Sequence, residues 1–120
     1  MSTAEEQLYA ALSASTSLAT VVGTRIWPDA IPEGRQLPAV VFSRTGTDPV
    51  ISISGARICE DVQFQIVAWA ETRAEADAAA AAIESAVRTG GQVVSGRSAN
   101  FDAEMGLFAA TVEATWFISF

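Results

Sequence analysis

Apolar residues recur at helical spacing at the start and in the middle of the chain, and at a spacing of two elsewhere. Ala4, Leu8, Ala11 and Leu12 fall on one helical face, and Thr3 followed three residues later by Glu6 makes a capping box for the first orphan amides. The serine-rich stretch 13–17 interrupts this helix. Leu18, Val21 and Val22 followed by Gly23 then predict a further short helical turn ended by a left-handed glycine. Residues 24–27 are β-branched and aromatic and run into Pro28, which predicts an edge strand or the entry to a loop; Ile31-Pro32-Glu33-Gly34 is turn chemistry. A strand is predicted over 39–45, with Val40, Phe42 and Arg44 on one face and Val41 on the other, and Gly46 to Pro49 is expected to break it.

Ile51 and Ile53 alternate with serines, and Gly55-Ala56 offers a reversal before the strongest strand pattern, from about 57 to 70. There Ile58, Val62, Phe64, Ile66 and Ala68 point one way, interrupted by Glu60, while Arg57, Cys59, Asp61, Gln63 and Gln65 point the other. One face is core; the other meets water or a partner. Thr72 and Glu75 form a second capping box, and Ala76, Ala79, Ala80, Ile83, Ala86 and Val87 make a helical stripe closed by Gly90-Gly91. The alanines let this helix sit close on a sheet. Residues 92–101 read as a weak strand with an irregularity at Gly96, and 102–106 as a turn. A last strand places Phe108, Ala110, Val112, Ala114, Trp116, Ile118 and Phe120 on one face and Thr111, Glu113, Thr115 and Ser119 on the other. Together these predict an α+β fold in one domain spanning 1–120: a mostly antiparallel sheet with two main helices packed on one face.

Composition narrows the chemistry. Half of the 120 residues are hydrophobic, enough for a real core, and 14 acids against 7 bases give a net charge of -7, which a phosphate backbone repels. There is no histidine, and all seven bases are arginine, so the commonest general base, the commonest metal ligand and any Schiff-base lysine are missing. Cys59 is the single cysteine; with no partner for a disulfide and no histidine or lysine to activate it, it reads as a plain thiol in a reducing compartment. No apolar run of 18 residues exists and the first residues do not read as a signal peptide, so a soluble protein with no membrane partner is expected.

Particular motifs add little catalytic potential. Glu60 and Asp61 are adjacent on a strand, point to opposite faces and cannot share a proton; Glu71, Glu75 and Asp77 suit the start of a helix. Gly90, Gly91 and Gly96 do not join a strand to a helix N-terminus, so they form no phosphate cradle. Trp27, Trp69 and Trp116 sit among strand residues, as core or interface rather than a stacking platform. No catalytic, metal or cofactor site is expected, and the chain does not read as an enzyme.

Read in order, several segments resemble a known family. Leu8 to Leu12, Val22-Gly23-Thr24-Arg25-Ile26-Trp27-Pro28 and Leu37-Pro38-Ala39-Val40-Val41-Phe42 look like the amino-terminal half of the small tail-completion proteins of long-tailed phages, also called tail terminator or tail-to-head joining proteins. Val62-Gln63-Phe64-Gln65-Ile66 with Trp69-Ala70, then Thr72 and the helix through Glu75, Ala76, Ala79 and Ile83, are similar to the family's central strand and second helix. The resemblance implies a structural virion protein at the head-proximal end of the tail, assembled in the host cytoplasm. It implies a homo-oligomeric ring, commonly hexameric, that caps the tail tube protein and docks to the head-tail connector protein, with DNA passing through unbound.

A closed ring of identical subunits needs two complementary patches on each. The face carrying Arg57, Asp61, Gln63 and Gln65 is a candidate subunit interface, with a solvated strand face as the alternative. The segment with Thr47, Asp48, Pro49 and Ser52 is a candidate loop for docking to the tube or connector; it also reads as an ordinary exposed hairpin. Arg25 and Arg35 are candidates for ion pairs between subunits or within one chain. A small-molecule-binding regulatory domain of the same fold class is the alternative function.

Overall fold

The computed structural model describes residues 4–23, 25–28, 37–51 and 57–119, with the side chains of 49–51, 57, 58 and 119 outside the description. Among the described residues three helices, α1 (Ala4–Ala14), α2 (Thr16–Val22) and α3 (Arg73–Thr89), accompany five strands: β1 (Ile26–Pro28), β2 (Ala39–Ile51), β3 (Arg57–Ala70), β4 (Val93–Asp102) and β5 (Leu107–Ser119). The sheet order is β1-β2-β3-β5-β4, antiparallel throughout except for the short parallel pair β1–β2. This is the α+β arrangement the alternation patterns predict.

The polar and apolar periods account for the layering. Leu8 and Leu12 of α1, Leu18 and Val22 of α2, and Ala76, Ala79, Ala80, Ile83, Ala86 and Val87 of α3 are buried. They pack on Val40, Phe42, Val62, Phe64, Ile66, Ala68, Ala110, Val112, Ala114 and Trp116 of the sheet in one core cluster. The other face of the sheet carries no helix among the described residues. Ser15 alone separates α1 from α2: its hydroxyl accepts from the Leu18 amide at 3.2 Å, so the expected helical turn is a seven-residue helix with its own N-cap. Gly23 has the expected positive φ of 59°, but with ψ of -124° it lies outside the left-handed helical well, in a region only glycine populates readily. The Arg25 amide then closes the turn on the Val22 carbonyl at 3.0 Å.

Thr72 caps α3 as expected: its hydroxyl accepts from the Glu75 amide at 3.3 Å and donates to the Glu75 carboxylate at 3.0 Å, in place of the reciprocal bond to the Thr72 amide. The first falls on Thr3, outside the described residues, as do the turn at 31–34 and the reversal at 55–56.

One expectation is corrected. The strand predicted to end at Gly46 continues as β2 to Ile51, and the ladder absorbs the glycine as a bulge between Arg44 and Gly46. The extra residue reverses the alternation, so Arg44 and Thr47 share the helix side, where Arg44 Nη1 donates to Thr47 Oγ1 at 3.1 Å. The β2–β3 ladder shifts register again between Val50 and Ile51, and the shift between Val94 and Gly96 of β4 sits where the sequence places it.

Candidate interaction surface

The helix-free face of the sheet is built from three long strands and divides into two regions. At one end Trp27, Val41, Val67 and Trp69 lie in register across β1, β2 and β3, all half-buried, beside the buried Ala39 and Ala109. At the other end the face carries Asp48, Asp61, Gln63, Gln65 and Glu113 together with two exposed apolar residues, Phe117 opposite Asp61 and Val93 opposite Thr115. Register places Asp48 directly opposite Asp61, and Gln65 opposite Glu113. Like charges across an antiparallel pair repel. Gln63 offsets part of this, since its Nε2 donates to Asp48 Oδ2 at 3.2 Å. Gly46 makes room for it: a Cβ there would stand 2.9 Å from the Gln63 side-chain oxygen.

The sequence-derived candidates are therefore distributed as follows. Asp61, Gln63 and Gln65 share the helix-free face as expected; Arg57 opens β3, but its side chain lies outside the description. Thr47 and Asp48 belong to β2 rather than to a loop, and they point to opposite faces. Pro49 continues that strand opposite Glu60, and Ser52 is outside the described residues. Arg25 is half-buried and its Nε donates to the Pro38 carbonyl at 2.8 Å, tying the approach to β1 to that of β2; Arg35 is outside the described residues.

Two ion-pair groups on the helix side escaped the sequence reading. Arg44 Nη2 donates to Glu5 Oε1 at 2.5 Å, joining β2 to α1. Glu84 on α3 takes Arg88 Nη2 on one oxygen and Arg97 Nη1 of β4 on the other, each at 2.9 Å. The Glu84–Arg88 half is visible as an i,i+4 pair; Arg97 and Arg44 are brought in only by the tertiary fold. Hydrogen bonding from Arg44 holds the Glu5 carboxyl below its ordinary value of 4.5, and hydrogen bonding from Arg88 and then Arg97 does the same for Glu84.

A pH dependence follows. A carboxyl with a lowered folded-state pKa binds fewer protons folded than unfolded, so its stabilisation is complete above 4.5 and is lost as the pH falls through the folded value. The melting temperature should therefore drop on acidification below 4.5, and the Glu5→Gln, Glu84→Gln double variant should show a shallower drop with a lower starting value at neutral pH. An equally steep acid limb in the double variant would contradict this assignment.

Chemically, the surface is equipped for contact. Among the described residues no group of three or more His, Cys, Asp or Glu is placed to hold a metal ion, and no helix is long and apolar enough to cross a membrane. Extended strands present tryptophan, valine, amides and carboxylates on a face that carries no helix among the described residues. The chain matches the profile of the family described as "Tail completion protein gp17" over residues 6–119, and it belongs to that family. It is thus a structural tail-completion protein of phage-type virions.

Among solved structures, a chain from the "Virion of native gene transfer agent (GTA) particle" shares the fold, with a TM-score of 0.70 and 22% identity. The alignment covers 94% of this chain and 92% of that one. A comparison with curated proteins finds no match.

Proposed function

We propose that the chain is the ring-forming subunit, six to a ring, that caps the finished tail tube and presents the docking surface for the head connector. The observation that carries this reading is the two-layer fold, whose second sheet face carries no helix among the described residues, in a chain of the tail-completion family. Trp27, Val41, Val67 and Trp69 are half-buried on this face, and contact between subunits would bury their remaining surface. Asp61, Gln63 and Gln65 form the polar part of that contact surface, and Arg57 is the further candidate for it. Thr47, Asp48, Pro49 and Ser52 are the candidate segment for meeting the tube or connector. Arg25 and Arg35 are its ion-pairing candidates. The net charge of -7 suits a ring whose bore DNA crosses without sticking.

Light scattering over a concentration series, with and without purified tail tubes, followed by negative-stain imaging, tests this. Free rings, or tubes capped at one end, are the expected result. A protein that stays monomeric and ignores tubes at every concentration refutes it. Gln65→Lys on the exposed polar end should weaken capping while leaving the melting temperature unchanged, because no core contact is lost.

A further inference from the structure

Away from the sheet face, two features stand at opposite ends of α3. At its N-terminal end the β4–β5 turn projects, carrying the two most exposed large apolar side chains among the described residues, Phe101 at 52% and Met105 at 58%. This tip is pre-ordered. Asp102 Oδ1 accepts from the amides of Glu104 and Met105 at 3.0 and 3.1 Å, the Gly106 amide donates to the Asp102 carbonyl at 2.8 Å, and the Phe101 ring leans on Phe108 at 4.9 Å. An ordered tip gives up little entropy on docking. Residues 102–106 include two acids, Asp102 and Glu104, and no base.

At the C-terminal end of α3 a groove of about 440 Å³ runs between that helix and the α1–α2 junction, lined by alanines, Gly90 and the hydroxyl residues Ser15, Thr16, Ser17, Ser85 and Thr89, with no charged side chain. Ser85 and Thr89 also border the adjoining depression that holds Arg88. Arg88 is 63% exposed and shares the single carboxylate of Glu84 with Arg97, which leaves the rim with an excess positive charge.

We propose that the β4–β5 tip of one subunit seats in the α1–α2/α3 groove of a second copy of this chain, with Met105 in the groove and Glu104 facing Arg88. This rests on the ring reading and deepens it. A small groove without charge, lined by alanines and hydroxyls and rimmed by a cation, accepts a polarisable thioether flanked by acids. Tip-to-tip pairing would set four carboxylates together, so the symmetric alternative is disfavoured. Self-docking is excluded by distance, since the 17 residues of α3 hold tip and groove about 25 Å apart. A donor at one end and an acceptor at the other give a directional contact that repeats from copy to copy, as a closed ring requires.

The test compares Met105→Asp, Glu104→Arg, Arg88→Glu and the Glu104→Arg, Arg88→Glu double variant with the wild type by light scattering, with and without tail tubes. Met105→Asp should raise the concentration needed for assembly at least about tenfold with no change in melting temperature. Each charge reversal should weaken assembly, and the double variant should regain it. In a Cys59→Ser background, cysteines introduced at Met105 and Ser85 should cross-link between subunits. Wild-type rings with variants that assemble at the same concentration overturn this contact and leave the ring reading standing. A wild type that never assembles, alone or with tubes, overturns both. Variants that form normal rings but fail to cap tubes would assign the tip to the tube protein, and the contact between copies would again be refuted.

Discussion

Phe64→Ala is expected to lower the unfolding free energy by about 3–5 kcal/mol, the range for deleting a fully buried phenylalanine. Phe64 is 1% exposed at the middle of β3, packed edge-on against Phe42 at 6.5 Å between ring centroids, and Phe42 in turn meets Tyr9 of α1 at 6.4 Å. Truncation opens a cavity where the sheet meets α1, and its cross-strand neighbours are poor candidates to fill it, since Ala114 is small and Arg44 is held by Glu5 and Thr47. Domains of this size have roughly 5–15 kcal/mol to lose, so the variant should sit close to its unfolding threshold. Urea unfolding gives the measurement: the midpoint should fall sharply with little change in slope. A shift worth under about 1 kcal/mol would mean that the core relaxes around the deletion, and that the Phe64–Phe42–Tyr9 chain is not the anchor of β2, β3 and α1.

The same variant separates stability from assembly. Phe64 alternates with Gln63 and Gln65, which lie on the helix-free face. Phe64→Ala should lose assembly in proportion to the unfolded fraction, and a stabilising osmolyte should restore both together. Gln65→Lys should lose tube capping at unchanged stability, and no osmolyte should restore it. This contrast distinguishes a residue that holds the face up from one that makes contact through it.

Much of this architecture was legible in the sequence because burial is one-sided and the alternation is clean. β3 begins and ends where its period-two pattern does, and the α3 stripe from Ala76 to Val87 is buried as read. The failure at Gly46 has a definite cause. A strand with one inserted residue loses its alternation locally, and Gly46-Thr47-Asp48-Pro49 mimics a turn signal, yet the β3 ladder continues to pair through the bulge. The helix-free face was half legible. Asp61, Gln63 and Gln65 followed from the β3 pattern, but grouping Trp27, Val41, Val67 and Trp69 required knowing that β1 pairs parallel to β2. The tip and groove were not legible at all, because Met105 and Ser85 gain meaning only from the ends of α3 at which the chain places them.

The second large effect concerns how closely α3 lies on the sheet. Ala80→Leu is expected to cost about 1–3 kcal/mol through overpacking, whereas Ala78→Leu on the same helix should stay within about 0.5 kcal/mol. Leucine and alanine differ little in helix propensity, so the pair isolates packing. Ala79 and Ala80 are buried to within 1%, and the strands beneath present Ala68 directly opposite Ala110, with Ala114 further along β5. Small residues on both sides set a close helix–sheet approach, and no neighbouring void is needed to explain the fit. A leucine at 80 must lift the helix or force a strained rotamer, while Ala78 faces water and adds only exposed carbon. Because α3 carries Arg88 and one wall of the groove, and Glu84 clamps it to Arg97 of β4, lifting it also displaces the proposed acceptor relative to the tip. Ala80→Leu should therefore impair ring assembly beyond what its unfolded fraction explains, at temperatures where the subunit is still folded. Equal unfolding midpoints for the two variants would show that the alanine seam is loosely packed, and the helix would then have to be positioned by its ion pairs instead.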